Sequence, residues 1–148
     1  VLAIRRGGYV LADRDDAVAV LLATGSEVSL AVEAQKLLDA RGVPVRVVSM
    51  PSSTVFDRQD ARWRDEVIPR RLPRLAIEAG CTAHWWKHVG EAGISGDVVG
   101  LDRFGESAPA GLLFRHFGIT PEAVATRARA LVAAHGAAHA EREALTAG

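Results

Sequence analysis

Two short turns gather the chemistry-capable residues of this chain: Ala23-Thr24-Gly25-Ser26-Glu27 and Phe104-Gly105-Glu106-Ser107-Ala108-Pro109. Each has the make-up of a tight turn that carries a buried strand into a helix. Glycine permits the bend, while Ser and Glu suit a helix start, where unpaired N–H groups and the dipole favour oxygens. In an open α/β sheet, ligands bind outside the carboxyl ends of the strands, beside helix N-termini. Thr24, Gly25, Ser26, Gly105 and Ser107 would occupy that rim, where a sulfate, phosphate or carboxylate would suit them. The plainer reading is that these residues only cap helices. Glu27 and Glu106 put negative charge in the same turns, so an anion site there is expected to be weak.

The remaining candidates carry less. His84 and His88 stand four residues apart on an expected helix, but Trp85 holds the position where helical zinc enzymes place a Glu. No further ligand is placed to complete a metal site. Cys81 follows Gly80 at a strand end, where a helix N-terminus lowers a thiol pKa. A pair with His84 is conceivable, yet a small buried thiol is the ordinary use of such a residue. Ser26 and Ser107 lie outside any G-x-S-x-G elbow. Arg62, Arg64, Arg70, Arg71 and Arg74 form the densest basic stretch, interleaved with Asp60, Asp65 and Glu66. A solvated face or a subunit contact fits that pattern better than a nucleic-acid groove. The common nucleotide fingerprints, G-x-G-x-x-G and the P-loop, do not occur.

The chain of 148 residues is 49% hydrophobic and 24% charged, which suits one domain with a substantial core. Eighteen basic residues balance eighteen acidic ones, so no net field steers it to nucleic acid or a membrane. One cysteine rules out an internal disulfide framework and fits a reducing cytoplasm. No apolar run approaches the ~20 residues that span a bilayer. The start, Val1-Leu2-Ala3-Ile4-Arg5-Arg6, lacks the order of a signal peptide and reads like a segment of something longer.

The elements that must position the turns follow from periodicity. Strands are expected over Gly8–Ala12, Ala17–Ala23, Val43–Met50, Leu75–Ala79 and Asp97–Leu101. The unbroken apolar run from Ala17 suits a strand covered on both faces. From Ser26 the period becomes helical, with Leu30, Ala31, Ala34, Leu37 and Leu38 on one face and Arg41-Gly42 as the stop. A right-handed crossover should join the second and third strands. Further helices are expected over Gln59–Ile68, Thr82–Val89 and Ser107–Phe117. The last opens at Thr120-Pro121-Glu122 and buries Val124, Ala128, Leu131 and Val132. The domain is placed at residues 1–136, and residues 137–148 form an Ala-rich tail free to fray. Alternating strands and helices give a three-layer α/β/α sandwich.

Read together, several stretches resemble the C-terminal domain of transketolase. They are Ala23-Thr24-Gly25-Ser26-Glu27-Val28, Arg46-Val47-Val48-Ser49-Met50-Pro51-Ser52, Phe56-Asp57 with Gln59-Asp60, and Glu78-Ala79-Gly80. Trp85 with Lys87, Val89-Gly90, the Phe104–Pro109 turn, and Leu113-Phe114 with Phe117-Gly118 complete the set. They occur in the family's order and spacing, from Arg6 to about Val132.

The resemblance implies a five-stranded, mostly parallel mixed sheet with one antiparallel strand, for which the Tyr9 strand is the candidate. It implies a structural and assembly role in a parent enzyme that moves a two-carbon ketol unit between sugar phosphates. The family's parent is a cytoplasmic homodimer, uses thiamine diphosphate and a divalent metal (Mg or Ca), and is associated with the pentose phosphate pathway. The family's cofactor lies between an N-terminal and a central domain, the implied partners of this segment. The diphosphate motif, Gly-Asp-Gly with a later Asn, fails here at Val98 of Gly96-Asp97-Val98. No catalytic, cofactor-binding or metal-binding residue is therefore carried onto this segment, which is expected to be inactive alone, without nucleic-acid or membrane partners. The alternatives are an autonomous anion- or nucleotide-binding α/β module using the Gly25 and Gly105 turns, and a thiol enzyme at Cys81.

Overall fold

A computed structural model of the chain describes residues 2–79, 85–90, 96–100 and 119–148. A 3-10 turn at Ile4–Arg6 leads into β1 (Tyr9–Ala12), followed by β2 (Ala19–Ala23) and helix α1 (Glu27–Asp39). Then come β3 (Val45–Ser49), α2 (Ser53–Asp57), α3 (Ala61–Val67) and β4 (Arg74–Glu78). Helix α4 (Trp86–Val89), β5 (Gly96–Gly100) and the long α5 (Pro121–Thr146) complete the described elements.

The strands form one five-stranded sheet in the order β1-β3-β2-β4-β5. β1 runs antiparallel to β3, with a register irregularity between Val10 and Ala12, and the other pairings are parallel. The mixed sheet and its single antiparallel strand at Tyr9 match the expectation from sequence. The first three expected strands start one or two residues early, whereas β4 and β5 begin one residue before their expected starts. Pro44 has no N–H to give a ladder, so β3 starts at Val45, and Val18 outside β2 donates to the Pro44 carbonyl at 2.9 Å.

Every residue of β2 is buried, because alternate side chains enter two separate cores. Ala19, Leu21 and Ala23 join α1 and α5 on one face, with Ala31, Ala34, Leu38, Val124 and Leu131. Val20 and Leu22 face the other layer, with Phe56, Val67, Trp85 and Val89. This is the three-layer sandwich, and each fully buried Leu contributes about 1.5–3 kcal/mol.

Three local readings change. Leu37, expected on the buried face of α1, is 38% exposed, and Gln35 is buried instead, donating to the carbonyls of Val45 and Ala12. Helix α2 has no counterpart among the expected elements; Ser52 caps it by accepting from the Val55 N–H. Helix α3 is shorter than expected because Asp60 is its cap, accepting from the Trp63 N–H at 2.8 Å. The stop of α1 is as read: Gly42 has φ +71° and the Val43 N–H closes on the Leu38 carbonyl at 2.9 Å. Helix α5 passes through Gly136 to Thr146, with Val124, Ala125, Ala128 and Leu131 as its buried residues. The expected helix at Ser107–Phe117 lies outside the described residues.

Candidate functional site

At the carboxyl end of β2 the chain turns at Gly25, whose φ of +56° is one that glycine adopts without strain. Thr24 is half-buried, and Gly25 and Ser26 are exposed. The N–H groups of Glu27 and Val28 turn back onto the carbonyls of Thr24 and Gly25, which takes two donors away from any external anion. Ser26 does not cap α1: it already has helical angles and its side chain makes no capping hydrogen bond. The expectation that it caps is corrected by that geometry. Its carbonyl instead accepts from the Ser29 hydroxyl at 2.9 Å.

Glu27 is 7% exposed, unusual for an acid in a helix's first turn. Its Oε1 accepts from the N–H of Ala79, just past β4, at 3.3 Å. The turn after β2 is thereby tied to the end of β4. Gly105 and Ser107, the partners expected on this rim, lie outside the described residues, as do Glu106, Cys81 and His84.

A second cluster sits on the opposite face, around the start of β4. Helix α2 ends on Asp57, and helix α4 brings Lys87 and His88 to it. Asp57 Oδ2 accepts from Lys87 Nζ at 2.5 Å, and Oδ1 lies 2.9 Å from His88 Nε2. Burial raises the Asp57 pKa, but the hydrogen bonds from Lys87 and His88 outweigh it and hold the carboxyl below its ordinary value. Nε2 must carry a proton to donate to that carboxylate, and the Nδ1 of His88 is buried with no hydrogen-bond partner among the described residues. Arg74, 4% exposed at the first position of β4, donates to the His88 carbonyl at 2.8 Å. Together with Arg64, Asp65, Ile68 and Arg70, these residues line a cavity of about 160 Å³.

The cluster escaped the sequence reading because Asp57 and Lys87 are thirty residues apart and no spacing rule joins them. The His84–His88 pair, read from sequence as an incomplete metal site, has His84 outside the described residues; among those, no three His, Cys, Asp or Glu side chains converge. Of the three tryptophans, Trp85 is buried and donates from Nε1 to Glu78 at 2.9 Å. Trp63 is half-buried under the Arg6 guanidinium, 4.4 Å from the ring centre, and Trp86 is 49% exposed.

The family model for the transketolase-like TK C-terminal domain matches residues 7–120. The chain belongs to the transketolase C-terminal domain family. It is 50% identical over 134 residues to Transketolase 1 of Pasteurella multocida, covering 87% of this chain and 20% of that protein. Against Transketolase 1 of Escherichia coli it is 50% identical over 131 residues, covering 87% and 19%. The solved transketolase of Pichia stipitis in complex with sedoheptulose-7-phosphate superposes with a TM-score of 0.80 at 39% identity, covering 92% and 19%. The chain thus spans about one-fifth of the length of these relatives.

In this transketolase C-terminal domain the stretches that carry the family likeness meet one another in space. Glu27 of the first turn holds Ala79, Trp85 holds Glu78, and Lys87 holds Asp57. Arg46, from the β3 stretch, holds both carboxylate oxygens of Asp13 at 2.9 Å and the Glu66 and Val67 carbonyls at 2.7 and 3.2 Å. These residues clamp elements together. Among the described residues none of them forms a nucleophile–base pair.

Proposed function

We propose that the chain serves as the C-terminal structural and assembly domain of a transketolase that transfers a two-carbon ketol unit between sugar phosphates. The observation that carries this reading is the spending of the family-typical residues on contacts between elements. In this reading the parent is a cytoplasmic homodimer of the pentose phosphate pathway, uses thiamine diphosphate with Mg or Ca, and supplies the N-terminal and central domains as partners. The half-exposed Trp86 supports packing against such partners, since exposed aromatics mark interfaces. No helix of the described residues is long and apolar enough to cross a membrane.

The described residues do not fit thiamine diphosphate. They offer no convergent metal-ligand set, and the cavity at Asp57, about 160 Å³, is below the roughly 300–1,000 Å³ usual for cofactor sites. In this reading catalysis belongs to the parent's other domains. The rim residues Thr24, Gly25, Ser26, Gly105 and Ser107 are proposed as a weak anion contact at most, since Glu27 keeps a carboxylate in the turn.

Calorimetric titration of the chain with thiamine diphosphate and Mg is the test. No saturable heat is expected, and ketol transfer should be absent in the same sample. A saturable heat at micromolar cofactor overturns the assignment of this segment as non-catalytic.

A further inference from the structure

Helices α3 and α4 meet over the start of β4 in a cleft whose charges do not balance. Asp57 is occupied by Lys87 and His88. Asp65 accepts from the backbone N–H of Arg70 at 3.0 Å, while the Arg70 guanidinium stays 3.8 Å away, beyond hydrogen-bond length. Among the described residues the guanidinium groups of Arg64 and Arg70 have no side-chain hydrogen bond. His88 lines the same cleft, with its Nε2 on Asp57 and its Nδ1 buried away from the opening. The cleft is thus lined by Arg64, Arg70, Arg74 and Lys87 against the two carboxylates of Asp57 and Asp65, so positive charge is in excess, and the side chain of Arg70, 70% exposed, reaches solvent.

We propose that this cleft binds a small oxyanion of the phosphate class, held by Arg64 and Arg70. The guanidinium fork matches tetrahedral oxyanions in geometry and charge. Phe56, Ala61 and Ile68 form the apolar part of the wall. The volume sets the ligand class. About 160 Å³ holds a phosphate with a water or two, each of which takes roughly 30 Å³, but not a nucleotide. This site is separate from the Gly25 turn, which lies at the opposite end of the sheet's parallel strands. It does not depend on the activity proposed for the parent.

The test is titration of the ¹⁵N-labelled chain with inorganic phosphate, at ionic strength held constant with sodium chloride, followed by amide NMR. Saturable shifts are expected at Arg64, Arg70, Lys87 and His88, with a dissociation constant that rises as salt rises. Arg64→Gln and Arg70→Gln should each weaken binding by about two- to tenfold, and Arg64→Lys by less, because it keeps the charge and loses the fork. Unchanged far-ultraviolet dichroism and amide dispersion establish that the variants fold. Shifts that do not saturate, or that sodium chloride alone reproduces, overturn the proposal. So does saturable binding confined to Gly25 and Ser26, or binding that survives the double Gln variant unchanged.

Discussion

Asp57 shows how one carboxylate can hold two elements that sequence distance keeps apart. It closes α2 and takes hydrogen bonds from the two consecutive residues Lys87 and His88 of α4. Its side chain is 35% exposed, so solvent screens the pair and the contribution is about 1 kcal/mol. Because the folded-state pKa is depressed, that contribution is present above the unfolded value near 3.8 and is lost as pH falls through the folded value. Asp57→Asn should therefore destabilise the chain by about 1 kcal/mol near pH 6, with the gap closing below pH ~4. Urea unfolding at several pH values checks this; a gap that is constant down to pH ~3 removes the electrostatic account. Asp13, depressed chiefly by its hydrogen bond from Arg46, titrates in the same direction and must be left intact in both proteins.

Legibility from sequence ends where elements become short or where contact depends on topology. The runs of β2 and β3 were readable because both faces are covered, and α1 because its period holds from Glu27 to Asp39. Helix α2 was not readable: five residues including Thr54 and Val55 are too few to display a period. The Gly25 turn was located correctly, but its capping role was inferred from residue type. The backbone enters helical angles one residue early, at Ser26, and that forecloses the cap. Arg46 belongs to the same class of unreadable feature. It sits mid-strand, where period alone assigns it no partner, yet it joins the β1–β2 turn to the end of α3. Its side chain is 17% exposed, and Asp13 at 47% is open, so the two carbonyl contacts weigh more than the ion pair. Arg46→Met should cost about 1–3 kcal/mol, and Arg46→Lys should recover less than half of that, since a single ammonium nitrogen cannot span the separated acceptors that the guanidinium Nε, Nη1 and Nη2 reach. A shift in guanidinium midpoint smaller than the error of the measurement would show that α3 is held by packing alone.

At the scale of the molecule, two cores flank the sheet, and neither depends on the last turns of α5. Leu131 is the last buried residue of α5; the segment 137–148 is largely exposed, and Leu145 is 82% exposed. A glycine inside a helix costs about 1 kcal/mol relative to alanine, and the alanines around Gly136 offset it without any core contact. Helical continuity and membership of the core are thus separate properties here, and placing the domain boundary near Gly136 rests on burial rather than on the helix. Truncation after Gly136 should remove helical dichroism in proportion to the residues lost. It should leave the free energy of unfolding within about 0.5 kcal/mol of the full chain, because no buried contact is deleted. Paired thermal and urea unfolding of the two lengths decides it. A loss of more than about 2 kcal/mol would mean that the tail reaches the sheet or its helices in solution, and would move the boundary to the end of α5.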